Sequence, residues 1–296
     1  MATDERLADQ FEKHRRHLRT VAYRMLGSAS EAEDAVQETW IRLGRTDVSD
    51  VANLRGWLTT VVSRVCLDML RTRTSRREDS LDVHLPDPII TRGEWEPESE
   101  AMRADSVGLA LLIVLDTLEP AERLAFVLHD VFGMTFDEIA PIVDRSPVAA
   151  RQIASRARRR VQSTAPSADR DVRQQRRVVD AFLAAQRDGD FEALVALLDP
   201  DIVLRADGGA LAGASRVVRG ATAVAGQAEA FSFSKLGLSI EIVLVNGNVG
   251  LLARRPDGRL FSVIGFTIAK GKIAEMNILA DPDRLSRLDL RTLSGM

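Results

Sequence analysis

Residues 146–162, SPVAARQIASRARRRVQ, hold five arginines (Arg151, Arg156, Arg158, Arg159, Arg160) and no acid. Ser146 suits an N-cap, because its hydroxyl can accept from an unpaired first-turn amide. Pro147 then takes the first helical position, where a missing N–H costs nothing. Ala150, Ala154, Ala157 and Val161 recur at spacings of three and four, so one face buries an alanine-rich stripe. Arg151, Gln152, Ser155, Arg156, Arg158 and Arg159 fall largely on the opposite face. Alone, such a helix reads equally well as a solvated basic face. The residues before it decide otherwise. Thr135-Phe136-Asp137-Glu138 forms a capping box and opens a short helix with Ile139, Ile142 and Val143. Asp144-Arg145 makes a tight connection. A short helix, a turn and a second helix rich in Arg and Gln is the helix-turn-helix pattern, whose second helix lies in the DNA major groove.

The chain of 296 residues has room for two or three small domains. Its net charge of −3 does not suggest a nucleic-acid binder, but the average hides segregation. Residues 78–105 carry nine acids and two bases, whereas residues 146–177 carry nine arginines and two aspartates. Such blocks fit DNA binding through one region and protein contacts through another. The single cysteine, Cys66, excludes an intrachain disulfide and sits in an apolar helical run, a core position rather than a nucleophile. With no run of eighteen apolar residues and no signal-peptide h-region, the expectation is a soluble cytoplasmic protein without membrane contact.

In chain order, residues 4–26 read as an amphipathic helix stopped by Gly27. Ser30-Glu31-Ala32-Glu33 reads as a capping box for a helix over 31–43, with Ala35, Val36, Trp40 and Leu43 inward and Asp34, Gln37, Glu38 and Arg42 mostly outward. After a polar loop at 45–53, Asn53 caps a helix over 54–74 with Trp57, Leu58, Val61, Val65 and Leu70 as its core positions. Arg71, Arg73, Arg76 and Arg77 crowd its end, beyond what a helix C-terminus needs. Residues 78–105, with Pro86, Pro88, Pro97 and the acids, read as a linker too polar to bury a core. Helices return at 101–117 and 120–132, and a second linker follows at 163–170. Two amphipathic helices, broken at Asp188-Gly189, then precede strands near 201–206, 238–246, 249–255, 259–269 and 273–279. A helix covers 221–230. Asn246-Gly247-Asn248, Pro256-Asp257-Gly258 and Lys270-Gly271-Lys272 supply the turns. Helices followed by hairpin-linked antiparallel strands make an α+β domain with a curved sheet.

These segments together resemble the extracytoplasmic-function sigma factors, bacterial promoter-recognition subunits of RNA polymerase. The stretch SEAEDAVQETWIRL resembles their core-polymerase-binding segment, residues 53–77 their −10 recognition helix, and residues 118–162 their −35 recognition domain. The resemblance implies partners and roles. Asp34, Gln37, Glu38 and Arg42 would face core RNA polymerase. Asn53, Arg55, Ser63, Arg64, Arg71, Arg73, Arg76 and Arg77 would serve the −10 element, with loop 45–53 holding a flipped base. Arg151, Gln152, Ser155, Arg156, Arg158 and Arg159 would serve the −35 element, through base edges and phosphates. Domains follow: 1–77 and 106–162, both all-α, then 171–296.

The last domain resembles the SnoaL-like branch of the NTF2-like fold, a cone-shaped sheet wrapped by helices, which a group of sigma factors carries as a fused regulator. Asp281-Pro282-Asp283-Arg284-Leu285, Asp207-Gly208-Gly209 and Trp95-Glu96-Pro97 resemble three short signatures of that group. They imply intramolecular contact of this domain with the sigma domains and leave room for a small-molecule ligand in the cone. SnoaL relatives include enzymes that use His or Asp. Here His14, His17, His84 and His129 all precede the domain, and Asp207, Glu229, Glu241 and Glu275 read as solvated or turn residues. The expectation is therefore no catalysis, cofactor or metal. Phe231, Phe233, Phe261 and Phe266 suit either a core or a pocket wall. The alternative to a sigma factor is a ligand-sensing helix-turn-helix repressor or activator acting without polymerase.

Overall fold

The computed structural model describes residues 2–48, 51–77, 83–91, 108–164, 168–209 and 215–288, with backbone alone for 2–6 and 75–77. It divides into two compact units: Met1–Ser80 with Val114–Thr164, and Leu81–Ile113 with Ala165–Met296.

In the helical unit, α1 (Ala2–Leu26), α2 (Ala29–Gly44) and α3 (Leu54–Arg77) bury most of the apolar positions the spacing predicts, while Trp40, Trp57 and Val61 are only half-buried and Val62, Cys66 and Leu67 are buried in addition. Phe11, Leu18, Val21 and Met25 of α1 join Ala35, Val36 and Leu43 of α2 and Leu58, Val65 and Leu70 of α3, all at 5% exposure or less. The N-cap of α2 differs from expectation. Ser28 caps it, its hydroxyl accepting from Glu31 N at 3.5 Å, because the chain already turns at Gly27, where φ is 70°. That frees two acids for ion pairs: Glu33 binds Arg15 and Glu31 binds Arg73. Asn53 caps α3 as expected, through Gly56 N at 3.0 Å.

The same unit continues through the end of α4 (Leu109–Asp116), α5 (Pro120–Phe126), α6 (Phe136–Val143) and α7 (Pro147–Thr164). The start predicted for α4, at 101, lies outside the described residues. One π-helical turn, Val127–Val131, extends α5. Thr135 and Glu138 form the full capping box of α6, and Asp144 turns the chain toward α7 at φ 57°, a conformation that Asp tolerates better than most residues. Arg123 is 2% exposed and donates to Asp116 at 2.9 Å.

The second unit holds a seven-stranded sheet of order β1-β4-β5-β6-β7-β2-β3. Its strands are β1 (Ile90–Thr91), β2 (Leu198–Asp207), β3 (Arg216–Arg219), β4 (Ser239–Val245), β5 (Asn248–Arg254), β6 (Leu260–Ala269) and β7 (Lys272–Leu279). Helices α8 (Val172–Asp188), α9 (Phe191–Leu197) and α10 (Ala221–Ala230) pack Val179, Phe182, Leu194 and Val224 on the face formed by Leu244, Leu251, Ile264 and Met276. Alternate strand positions, Val243, Leu252, Val263 and Leu279, face the other way toward Ile90, Leu109 and Leu285 of α11 (Pro282–Arg287). The expected turns form, with φ 50° at Asn246 and 78° at Gly247 as a two-residue hairpin turn requires.

Three sequence expectations are corrected. The pair β2–β7 is parallel, not part of a wholly antiparallel meander, since helices α8 and α9 bring β2 in from the far side. Strand β3, whose burial alternates weakly, was not expected. The linker also buries residues: Leu85 is 1% and Ile90 4% exposed, and β1 pairs with β4 in the register Ile90↔Val245. Averaging over the acids concealed the apolar run in VHLPDPII. Its prolines are compatible with an edge strand, where an N–H need not be donated.

His17 reports on packing in the helical unit. Its Nε2 lies 3.1 Å from Thr59 Oγ1, its Nδ1 3.3 Å from Arg55 Nη2, and its ring meets Phe132 edge-on at 5.6 Å. Burial foremost, then the charges of Arg55, His14 and Arg24, hold its pKa below the ordinary 6.5. The unfolded chain therefore takes up the proton first, and stability is lost as pH falls below that value. Thermal unfolding should show a lower midpoint at about pH 5.5 than at about pH 7.5, and His17→Phe should shrink that difference.

Candidate nucleic-acid interface and linker anchor

Helix α7 forms because Ser146 caps it, accepting from Ala149 N at 3.2 Å, and because Ala150, Ile153, Ala154, Ala157 and Val161 are buried. Ile153 belongs to this stripe although the alanine spacing alone omits it. Arg151, Gln152, Ser155, Arg156 and Arg159 are exposed. Arg151 stacks over Phe136 at 5.3 Å, and Phe136 stacks on His129 at 4.0 Å. The first helix of the motif thereby orients a guanidinium of the second. Arg158 is drawn back, 2.6 Å from Asp130, which neutralises part of its charge toward any phosphate. Val148 is 68% exposed near the start of α7. Sequence reasoning missed it because one apolar residue at a helix start carries no periodic signal. Its methyls suit contact with a thymine methyl.

On α2, Asp34 and Gln37 are exposed, while Glu38 and Arg42 are half-buried and pair at 2.9 Å. Ile41, 39% exposed, lies one turn beyond Gln37 and adds an apolar point to this face that the sequence reading did not include. On α3, Arg55, Arg64 and Arg71 are exposed. Arg64 donates to Pro141 O at 3.3 Å, and Arg71 lies 3.9 Å from Asp68. The Asn53 Oδ1 is occupied by its cap. Two of the residues expected at the DNA face inward in this structure. Ser63 is fully buried and donates to Thr59 O at 2.7 Å, because it falls one turn from Thr59 on the inward stripe. Arg73 turns inward, donating to Leu26 O at 3.0 Å, pairing with Glu31 and lying 3.7 Å from Asp116. The side chains of Arg76 and Arg77 lie outside the described residues. Cys66 is fully buried, and burial pushes its thiol pKa far up, against any nucleophilic role.

In the second unit, two of the three short signatures converge. Asp281 caps α11, accepting from Asp283 N at 2.9 Å and Arg284 N at 3.3 Å. Gly209 passes against it with φ 66°, where a Cβ would strike the Asp281 carboxylate. Asp207, 2% exposed, accepts from Arg284 Nη1 at 2.6 Å and from Leu85 N at 2.9 Å. The other guanidinium nitrogens of Arg284 reach Asp87 Oδ1 at 3.0 Å and Leu85 O at 2.6 Å. Gly208 N donates to Ser215 Oγ at 3.2 Å, and Leu285 is buried. Asp207 is thus neither a solvated nor a turn residue. Glu275 is buried too, 3.0 Å from Arg205. Trp95, Glu96 and Pro97 lie outside the described residues. The described linker residues at the anchor are His84, Leu85 and Asp87. Ile89 N adds a bond to Asn246 Oδ1 at 3.0 Å.

Among the described residues no helix is long and apolar enough to cross a membrane, and no group of His, Cys, Asp and Glu could hold a metal ion. Arg284→Ala leaves the buried Asp207 without its guanidinium partner, a loss of about 3–5 kcal/mol. Amide exchange should then accelerate at Leu85 and Ile89 while the amides of α2 and α3 keep their protection.

Known proteins match over most of the chain. Residues 10–76 match the family Sigma-70 region 2 and residues 109–161 match Sigma-70, region 4. The ECF RNA polymerase sigma factor SigJ of Mycobacterium tuberculosis is 36% identical over 296 residues, covering 95% of this chain and 94% of that protein. A probable ECF RNA polymerase sigma factor, SigI, from the same species is 34% identical, covering 97% of this chain and 98% of its own length. The crystal structure of SigJ superposes with a TM-score of 0.74 at 34% identity, over 96% of this chain and 99% of that one. A region 2 helix set, a region 4 helix-turn-helix and a fused α+β domain anchored on its own linker place this chain among the extracytoplasmic-function RNA polymerase sigma factors, in the group with a SnoaL-like C-terminal domain.

Proposed function

We propose that the protein binds core RNA polymerase and directs promoter-specific transcription initiation, and that its C-terminal unit modulates this activity through the linker. The observation that carries the reading is the exposed row Arg151, Gln152, Ser155 and Arg156 on a capped second helix. Arginine suits bidentate contact with guanine, and glutamine with adenine. Arg159 adds phosphate affinity, and Arg55, Arg64 and Arg71 serve the −10 strand. The face of Asp34, Gln37, Glu38 and Arg42, with Ile41, meets the polymerase. The protein works by binding, in the compartment that holds polymerase and chromosome.

Size adds a constraint. The two promoter elements lie some 25 base pairs apart by their names, about 85 Å of duplex at the rise of B-DNA. The helical unit is one compact body in which Arg64 of α3 bonds Pro141 of α6 and Arg73 of α3 approaches Asp116 of α4. A body of that residue number is about 36 Å across. The unit must open before α3 and α7 can read both elements. Polymerase binding supplies the energy, and a linker anchored by Arg284 at the second unit limits the slack available for it.

Fluorophores at Asp68→Cys and Gln162→Cys, both exposed, with Cys66 buried and unreactive, measure the opening. Their separation should grow when core polymerase is added to the full chain. Unchanged separation in a complex active on a promoter would refute the opening. Arg156→Ala should lose about 1–3 kcal/mol of discrimination at one −35 base pair if it reads a base. If it touches phosphate only, affinity should drop at all sequences alike and the salt slope should fall by about one.

A further inference from the structure

The arginine block that begins at residue 146 does not end with α7. Arg170, Arg173, Arg176 and Arg177 continue it into the second unit, where no role described above uses them. Asp169 sets their position. Its carboxylate accepts from Lys270 N at 3.0 Å and Gly271 N at 2.9 Å, its N–H donates to Ile268 O at 2.7 Å, and its carbonyl accepts from Gln175 Nε2 at 2.6 Å. The start of α8 is thereby laid against the β6–β7 turn, close enough that a Cβ on Gly271 would lie 3.7 Å from Gln174 Nε2. Arg170 and Arg173 come to this corner from the helix start, and Lys270 and Lys272 from the turn. Arg177 lies one helical turn past Arg173 on the same face. All five are exposed.

The nearby acids have other partners. Asp169 holds the turn amides, Asp171 caps α8 by accepting from Arg173 N and Gln174 N, and Asp180 pairs with Arg176 at 2.9 Å. Among the described residues no salt bridge reaches Arg170, Arg173, Arg177, Lys270 or Lys272. Five like charges gathered in this way repel one another and cost stability, in a chain whose net charge is −3. The arginines that hold the fold, Arg73, Arg123 and Arg284, each meet an acid instead. The turn adds to the case. Its φ is 54° at Lys270 and 73° at Gly271, the left-handed pair of a two-residue hairpin turn, for which Asn-Gly is favoured. The Asn246-Gly247 hairpin of the same sheet uses that sequence. Lysine here gives up turn stability and places a cation at the tip.

We propose that this corner of the second unit holds the phosphate backbone of the DNA duplex whose base edges α7 reads. Cations fixed on two elements and not spent on acids suit phosphates, and they add affinity without sequence information. Chain length favours this occupant. Six residues lead from Thr164, the end of α7, to Arg170, a reach of at most about 21 Å, or roughly six base pairs of duplex. The proposal rests on the reading of α7 as a DNA helix, and separate substitutions test the two.

The test follows binding of the full chain to a fluorescein-labelled duplex of about 40 base pairs and arbitrary sequence, by anisotropy between about 20 and 200 mM KCl, without polymerase. Arg173→Gln with Arg177→Gln should lower the salt slope by about two, at about 0.9 per phosphate. Lys270→Asn with Lys272→Gln should lower it by a similar amount and keep the turn, because asparagine accepts the left-handed conformation. This second pair carries the test if the helix pair does not fold. Arg255→Gln with Arg259→Gln, an equal change of charge on the β5–β6 hairpin, should leave the slope unchanged. Arg156→Ala reports on α7 alone, with a loss of about one. An unchanged slope in both corner variants overturns the proposal even where Arg156→Ala lowers it, and the reverse pattern removes α7 from the duplex while the corner stands. Absence of binding at the lowest salt, or an equal loss in the hairpin pair, which would mark a response to net charge alone, also overturns it. So would corner variants that bind the duplex normally but lose core polymerase in a pull-down, since the corner would then be a protein contact.

Discussion

The buried pair of Asp207 and Arg284 is the contact on which the second unit depends. Neither charge could be buried alone, and the planar guanidinium spends its remaining donors on Asp87 and on Leu85 O. One side chain therefore ties the end of β2, the start of α11 and the linker into a single node. The linker residues that follow then complete the sheet through β1. A segment that composition would class as a tether becomes part of a folded domain.

The helical unit sorts its arginines in a comparable way. Arg73, Arg123 and Arg158 meet Glu31, Asp116 and Asp130 and turn toward the protein. Arg151, Arg156 and Arg159 remain at the surface of α7. The arginines of this unit thus divide into those that hold helices together and those left at the surface. A charge block in the sequence does not separate them, because both groups are of one residue type. The acid within reach decides, and that acid lies on another helix.

The corner at the start of α8 has a different logic from the anchor. The anchor is saturated: Asp207 has donors from Arg284, Leu85 and Gly209. The corner leaves Arg173, Arg177, Lys270 and Lys272 at the surface, with no salt bridge among the described residues.

What the sequence by itself determined is local. The capping box at Thr135, the alanine stripe of α7, the N-cap at Asn53 and the hairpin turns at Asn246-Gly247 and Lys270-Gly271 all rest on interactions within a few residues, so periodicity and turn chemistry reveal them. The charged face of α7 was legible for the same reason. The tertiary structure alone decided the rest. It turned Ser63 and Arg73 inward, paired β2 with β7 in parallel, and brought Asp207, Arg284 and Asp87 together across nearly 200 positions. Those outcomes depend on which distant element supplies a partner, and no spacing along the chain encodes that distance.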